Sequence, residues 1–140
     1  MRTYAAAEVK TTFGPHSVTG TNDGDFINIE PISDGIVSQA GADGEVVRSM
    51  SADQRCRVTI TVQQGSPSND FFSGAYHADR VSGGRAVLPL IIRDLRGTTV
   101  FAAAKAWVTK LPSSGFAKEA GSREWVLETD RADYHVGGNE

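Results

Sequence analysis

Three histidines, one cysteine and a few closely spaced carboxylates are the residues of this 140-residue chain whose types could do chemistry. Nucleophilic catalysis needs a base within hydrogen-bond reach of a hydroxyl or thiol. His16, His77 and His135 stand in unrelated local contexts, and no Gly-x-Ser-x-Gly elbow is present. Cys56 opens a strand-like run without a partner, a position that suits a small core side chain. As the lone cysteine it cannot form an intrachain disulfide, which fits a reducing compartment. No two His or Cys have the local spacing that places two metal ligands on one face. His77 and Asp70, seven apart on a predicted helix, face one another only roughly. Asp23 and Asp25 could share a site, yet they occupy a turn with no apolar surroundings to shift their pKa values. A phosphate-binding loop and a dinucleotide fingerprint are both missing. The residues therefore indicate no catalytic, cofactor-binding or metal site.

The elements that would position such residues centre on 55–81. In Arg57-Val58-Thr59-Ile60-Thr61-Val62-Gln63 apolar and polar residues alternate and every apolar one is β-branched, the pattern of a strand with one buried face. Gly65 ends it. Ser66 can accept an orphan backbone N–H as an N-cap, Pro67 has no N–H to lose at the first helical position, and Asp70 suits the positive helix end. These signals predict a helix over 66–81. Phe71, Phe72, Ala75, Ala78 and Val81 form its apolar stripe, lying over the Val58, Ile60, Val62 face, and Ser82-Gly83-Gly84 is its stop.

Charge is unevenly distributed. Residues 1–54 hold eight acids and three bases, giving −5, while 55–140 hold nine acids and eleven bases, giving +2. Between Thr21 and Val47 there are six acids and no Lys or Arg. That acidic front argues against a general nucleic-acid binder. Arg80, Arg85, Arg93 and Arg96 are candidates for a basic patch, or for partners of the acidic region of a neighbour. The start of the chain lacks the apolar run of a signal peptide and no segment is long enough to span a bilayer, so the expectation is a soluble protein used without Sec-type export.

Along the rest of the chain, residues 4–12 and 16–19 read as strands around a Gly14-Pro15 turn. Residues 25–50 read as a long, irregular hairpin, reversing at Ala40-Gly41-Ala42-Asp43-Gly44, with too few apolar residues to bury itself. Residues 86–93 form an apolar strand in which Pro89 marks an edge or a bulge. Residues 98–109 are assigned as strand despite three consecutive alanines, because Asp94-Leu95-Arg96-Gly97 makes a natural hairpin turn. Residues 123–129 are the last strand, with Trp125 and Leu127 on one face, and 130–140 is expected to be a loosely held tail unless a neighbour captures it. The fold class is mainly β: a β-sandwich or partly closed barrel in a single domain over 1–140, with one flanking helix and a long extended hairpin.

The succession Gly41-Ala42-Asp43-Gly44, Val58-Thr59-Ile60-Thr61-Val62, Ser66-Pro67-Ser68-Asn69, Lys110-Leu111-Pro112, Phe116-Ala117-Lys118-Glu119-Ala120-Gly121 and Glu124-Trp125 resembles the tail-tube proteins of contractile-tailed bacteriophages. The likeness covers almost the whole chain in order. It implies a barrel or sandwich related to the tubes of type VI secretion and contractile bacteriocins, with no enzymatic activity and no cofactor. It further implies six-membered rings stacked into a hollow tube that carries DNA without binding it specifically. The partners would be further copies of the chain, sheath, baseplate and tail terminator proteins, without a membrane. The place would be the virion tail, after assembly in the bacterial host cytoplasm.

The residues add two points. A head-to-tail ring needs unlike faces, which an acidic front and a mildly basic remainder can supply, with Arg80, Arg85, Arg93 and Arg96 as candidate inter-subunit partners. A DNA-conducting bore is also served by acids, which repel a polyanion. Asp23, Asp25, Glu30, Asp34, Asp43 and Glu45 are thus candidates for the lumen or the ring-to-ring contact. The competing readings are a capsid decoration or head-to-tail completion protein, the tube of a bacteriocin or secretion system, and, least supported, an enzyme on a small barrel.

Overall fold

The computed structural model describes residues 1–139. A 3-10 turn at Ala6–Glu8 precedes β1 (Val9–Phe13), β2 (His16–Ser17), β3 (Ile27–Pro31), β4 (Ile36–Ala40), β5 (Val46–Met50) and β6 (Cys56–Gln63). Helix α1 (Ser68–Val81) follows, then β7 (Leu88–Asp94), β8 (Val100–Lys110), β9 (Ser122–Thr129) and β10 (Ala132–His135). Eight strands make one sheet in the order β2-β1-β7-β8-β9-β6-β3, with β10 added to β8, and β4 and β5 pair separately. All these pairings are antiparallel.

Alternation fixes which face is inside. Val58, Ile60 and Val62 of β6 are fully buried, as are Leu90 of β7, Phe101 and Ala106 of β8, and Leu127 of β9. They meet Phe13, Phe72 and Trp125 in one cluster, so the sheet curls around its own inner face. Ile27 and Ile29 of β3 face Val9 and Ile92 of β1 and β7 across a groove of about 550 Å³. The outer strands thus approach without pairing, the partly closed barrel expected from the sequence.

The helix start follows the cap chemistry. Ser66 Oγ accepts the Ser68 N–H at 3.1 Å, and its own hydroxyl donates to the Thr19 carbonyl at 2.6 Å. Pro67 already has helical angles. At the far end Gly83 and Gly84 adopt φ of +73° and +89°, and the Gly84 N–H donates to Asp79 O at 2.8 Å, ending the helix where glycine alone is comfortable. The packing differs from expectation. Helix α1 lies nearest β8 and β2 rather than along β6. Its buried anchor Phe72 meets Phe13 of β1 and Trp125 of β9 at ring separations of 5.9 and 5.3 Å. Ala78 and Val81 point to solvent, and Tyr76 packs in their stead. The Trp125 indole N–H donates to Asn69 Oδ1 at 2.9 Å, tying helix to sheet.

Two further expectations are corrected. Residues 25–50 are not one hairpin: β3 pairs with β6 from Ile27↔Ile60 to Pro31↔Cys56, and only 36–50 stands free. As far as Asn139 the tail is not loose either, and Glu140 lies outside the described residues. Ala132–His135 pairs with Phe101 and its neighbours on β8, the Thr98 N–H donates to Gly138 O at 3.0 Å, and Asn139 Nδ2 donates to Asp94 Oδ2 at 2.8 Å. Gly137 approaches Thr98 so closely that a Cβ there would strike the threonine side chain and backbone. Gly137→Ala is therefore expected to undock the tail. Hydrogen exchange should quicken at least tenfold, by the lost bonds, across 132–139 and at Thr98, with β6 amides unchanged. Pro89 sits in a bulge between β1 and β8 rather than on an edge, and its carbonyl accepts the Gly14 N–H at 2.8 Å.

Candidate assembly surfaces

Residues 36–50 form a ribbon that buries nothing. Its register runs from Ile36↔Met50 to Ala40↔Val46, and every residue in it is exposed. The turn is closed by the Gly41 N–H to Glu45 O at 2.8 Å and by Asp43 Oδ1, which accepts the Glu45 N–H at 3.1 Å. Ile36, Met50 and Val46 lie on one face, Val37 and Val47 on the other, and their exposure runs from 53% to 75%. A two-stranded ribbon with apolar residues open to water on both faces is marginal alone and reads as an interaction element.

Its root, by contrast, is fastened. The Ser51 N–H donates to Gly35 O at 2.9 Å and the Ile32 N–H to Arg55 O at 3.0 Å. Between them lies Asp53. The Arg55 guanidinium grips its carboxylate with two bonds of 2.9 Å, and the Arg55 amide and the Ser33 hydroxyl donate to the same group. Such bidentate, charge-assisted contacts are the strong ones. The Arg55 side-chain bonds, followed by the Ser33 bond, hold the Asp53 carboxyl far below the usual carboxylate range. A carboxylate with a depressed folded pKa adds stability above its unfolded value, about 3.9, and loses it as pH falls through the folded value. The staple is accordingly complete at neutral pH and fails only in strong acid. Asp53→Asn should speed amide exchange at Ile32 and Ser51 while leaving the barrel strands protected.

The six candidate acids are all exposed, but they do not share one place. Asp23 and Asp25 line the groove beside Tyr4 and Val9. Glu30 lies on the outer face of β3 opposite Arg57, Asp34 at the hairpin root, and Asp43 and Glu45 at the hairpin tip. The four arginines are exposed too and form no single patch. Arg80 and Arg85 flank the turn before β7, while Arg93 and Arg96 lie at its other end, about 20 Å away by strand rise. Arg93 stands opposite Lys10 of β1, a like-charged pair on the outer face.

The residues with chemical potential are committed to structure or solvent. His16 Nε2 lies 2.8 Å from Ser68 Oγ, and its ring stacks on Phe71 at 4.6 Å. His77 and His135 are exposed. Cys56 is buried, and burial pushes its thiol pKa up, away from reactivity. Among the described residues no group of three or more His, Cys, Asp or Glu is placed to hold a metal.

One buried charge was not singled out from the sequence. Arg123 is only 8% exposed, with Nη1 donating to Ser122 O at 2.9 Å and Nη2 to Gly115 O at 3.0 Å. The signal was present, since Arg123, Trp125, Leu127 and Thr129 alternate on one face of β9.

The model of the family described as the bacteriophage PhiTE tail tube protein matches residues 1–137. The chain belongs to that tail-tube family. Family membership makes it a structural protein of the phage tail and not an enzyme. This tail-tube protein is 25% identical over 126 residues to structural protein ORF10 of Pseudomonas phage KPP10, covering 89% of this chain and 73% of that one. Its fold recurs in three solved structures of contractile systems. The tube-terminating cap of the anti-feeding prophage has a TM-score of 0.59 at 16% identity, covering 97% of this chain and 93% of that one. A chain of the PVC sheath-tube complex has a TM-score of 0.58 at 13% identity, covering 96% and 92%. A chain of the PVC sheath/tube terminator has a TM-score of 0.62 at 14% identity, covering 97% and 99%.

Proposed function

We propose that this tail-tube protein, acting as a single domain, joins head to tail in six-membered rings that stack into a hollow tube, down which phage DNA is delivered. The observation that carries the reading is the free ribbon 36–50, apolar on both faces and anchored at its root, which gains its missing burial only from another subunit. The sheath-tube and terminator structures that share the fold support a sheath protein and a terminator as partners, and a baseplate would complete the set. The site is the virion tail, reached after assembly in the host cytoplasm. Arg80 with Arg85, and Arg93 with Arg96, are two separate candidates for contacts with a neighbouring subunit. A second reading, the tube of a phage-like injection system without DNA, is favoured by those same structural neighbours.

Electron microscopy of the purified protein over a concentration range, with light scattering on the same samples, tests the assembly. Hollow tubes of six-fold rings are expected. Monomers at every concentration would overturn it. Asp23, Asp25, Glu30 and Asp34 are proposed to face the bore or the ring contacts. Changing bore-lining acids to lysine would slow DNA passage while tubes still form, because the wall would then attract the polyanion.

A further inference from the structure

Arg123 carries a buried positive charge with no ion-pair partner among the described residues. The ion pairs among the described residues join Arg55 to Asp53 and Arg57 to Glu128, and neither involves Arg123. Its two carbonyl partners satisfy donors but leave the charge without a counter-ion. A guanidinium withdrawn from water without an opposing charge is costly, and a carboxylate offered to its fork is correspondingly well held. The guanidinium also lies over the Phe116 ring, 5.4 Å from its centroid, at the mouth of the site.

Around Arg123 is an open groove of about 430 Å³ under the 111–121 loop, lined among others by Gln64, Asn69, Leu111, Pro112 and Phe116. Phe116 is 82% exposed and Leu111 43%, so the groove combines an apolar rim with a positive interior. A segment suited to it would carry an acid between apolar side chains. This chain has one: Asp43 and Glu45 at the hairpin tip, followed directly by the exposed Val46 and Val47. Glu45 has only its backbone engaged in the turn.

The hairpin is rooted at the far end of β6 from the groove, and every residue of its tip is exposed rather than seated in the groove of its own molecule. Strand β6 begins at Cys56, beside the hairpin root, and ends at Gln63, opposite Ser122 at the loop end of β9. The hairpin root and the groove therefore lie at opposite ends of one eight-residue strand, about 23 Å apart at the rise of a β-strand. A projection at one end and its complement at the other is a heterologous contact, the kind that repeats without closing.

We propose that the groove under the 111–121 loop, with Arg123 inside it, is the socket for the hairpin tip, Asp43 and Glu45, of a second copy of this chain in the next ring. The proposal rests on the stacked-ring reading. Arg123 acts as the positive group that recognises the tip, and Leu111 and Phe116 cover its valines.

Two measurements on the full chain test this. Asp43→Lys with Glu45→Lys, both exposed and outside the core, should raise the concentration needed for tube growth at least tenfold by light scattering, with circular dichroism unchanged. In parallel, Ala42→Cys combined with Ser114→Cys, which leaves both tip acids in place, should give covalent ladders with a short bis-maleimide in preformed tubes. Either single variant, or Ala42→Cys with the exposed Lys105→Cys, should not. An unchanged growth concentration overturns the proposal. A raised concentration without ladders from the 42/114 pair overturns the groove as the socket, since the acids would then meet another surface. If the wild-type chain forms no tubes at all, the stacked-ring reading fails and the proposal falls with it, an outcome visible before any variant is made.

Discussion

A chain in which residues 36–50 are replaced by two glycines is expected to fold as well as the parent and to form no tubes. The folding half follows from burial, because no residue of β4 or β5 belongs to the core. Gly35 and Ser51 already lie within one hydrogen bond of each other, 2.9 Å, so a two-residue turn can close the gap without moving β3 or β6. The Asp53 staple sits outside the deletion and persists. Shortening the loop lowers its closure entropy only slightly, so the melting temperature should stay within a few degrees of the parent. The assembly half follows from what is lost, namely the exposed valines, Ile36 and Met50 together with the two tip acids. Circular dichroism, thermal melting and microscopy on the same sample check both halves. A melting point lowered by about 10 °C or more would mean that the ribbon stabilises its own barrel, and tubes formed by the shortened chain would assign assembly to other surfaces.

The largest loss of stability is expected from Phe72→Ala. Phe72 is fully buried, and its ring joins β1 to β9 through Phe13 and Trp125. Truncating a buried phenylalanine costs about 3–5 kcal/mol, partly as lost transfer energy and partly as the cavity left behind. Against a total of roughly 5–15 kcal/mol for a domain, that is a large share. Urea unfolding should show the midpoint falling with little change in slope. Phe71→Ala makes the useful contrast. Phe71 is half-buried and packs on His16 and the edge of Phe13, so its loss should cost clearly less. Equal costs would mean that the helix is held by its outer stripe rather than by the Phe72 anchor.

The sequence was most legible where two signals agreed. Strand β6 combined strict alternation with β-branched residues, and α1 combined an N-cap serine with a glycine stop, so both were placed within two residues. Alternation says which residues share a face but not which strand they pair with. Ile27 and Ile29 looked alike whether they belonged to the ribbon or to the sheet, and the division of 25–50 was hidden for that reason. Strand β10, Ala-Asp-Tyr-His, has one aromatic and no β-branched residue. Its state is set by the waiting edge of β8 and by the Thr98 and Thr99 contacts, neither of which is local. For the assembly surfaces, the acidic run and the shortage of apolar residues at 36–50 could be read directly. The Arg123 groove could not, because it gathers residues from the turn after β6, from α1, from β9 and from the 111–121 loop.

The pairing of the tail has a consequence for how the protein is made. Residues 132–139 emerge after every other strand, yet they complete the edge of β8 and clasp the β7–β8 turn through Gly138 and Asn139. Strand β1 likewise waits for β7, some eighty residues later in the chain, and β3 is held only by β6. A topology built on such distant pairings folds slowly and as a unit. When the ribbon 36–50 has been made, β6 to β10 are still to come, and the loop that follows β8 has no closed barrel to stand on. Completion of the barrel thus comes after the ribbon, so a nascent copy exposes its apolar ribbon before it has a closed barrel beside it.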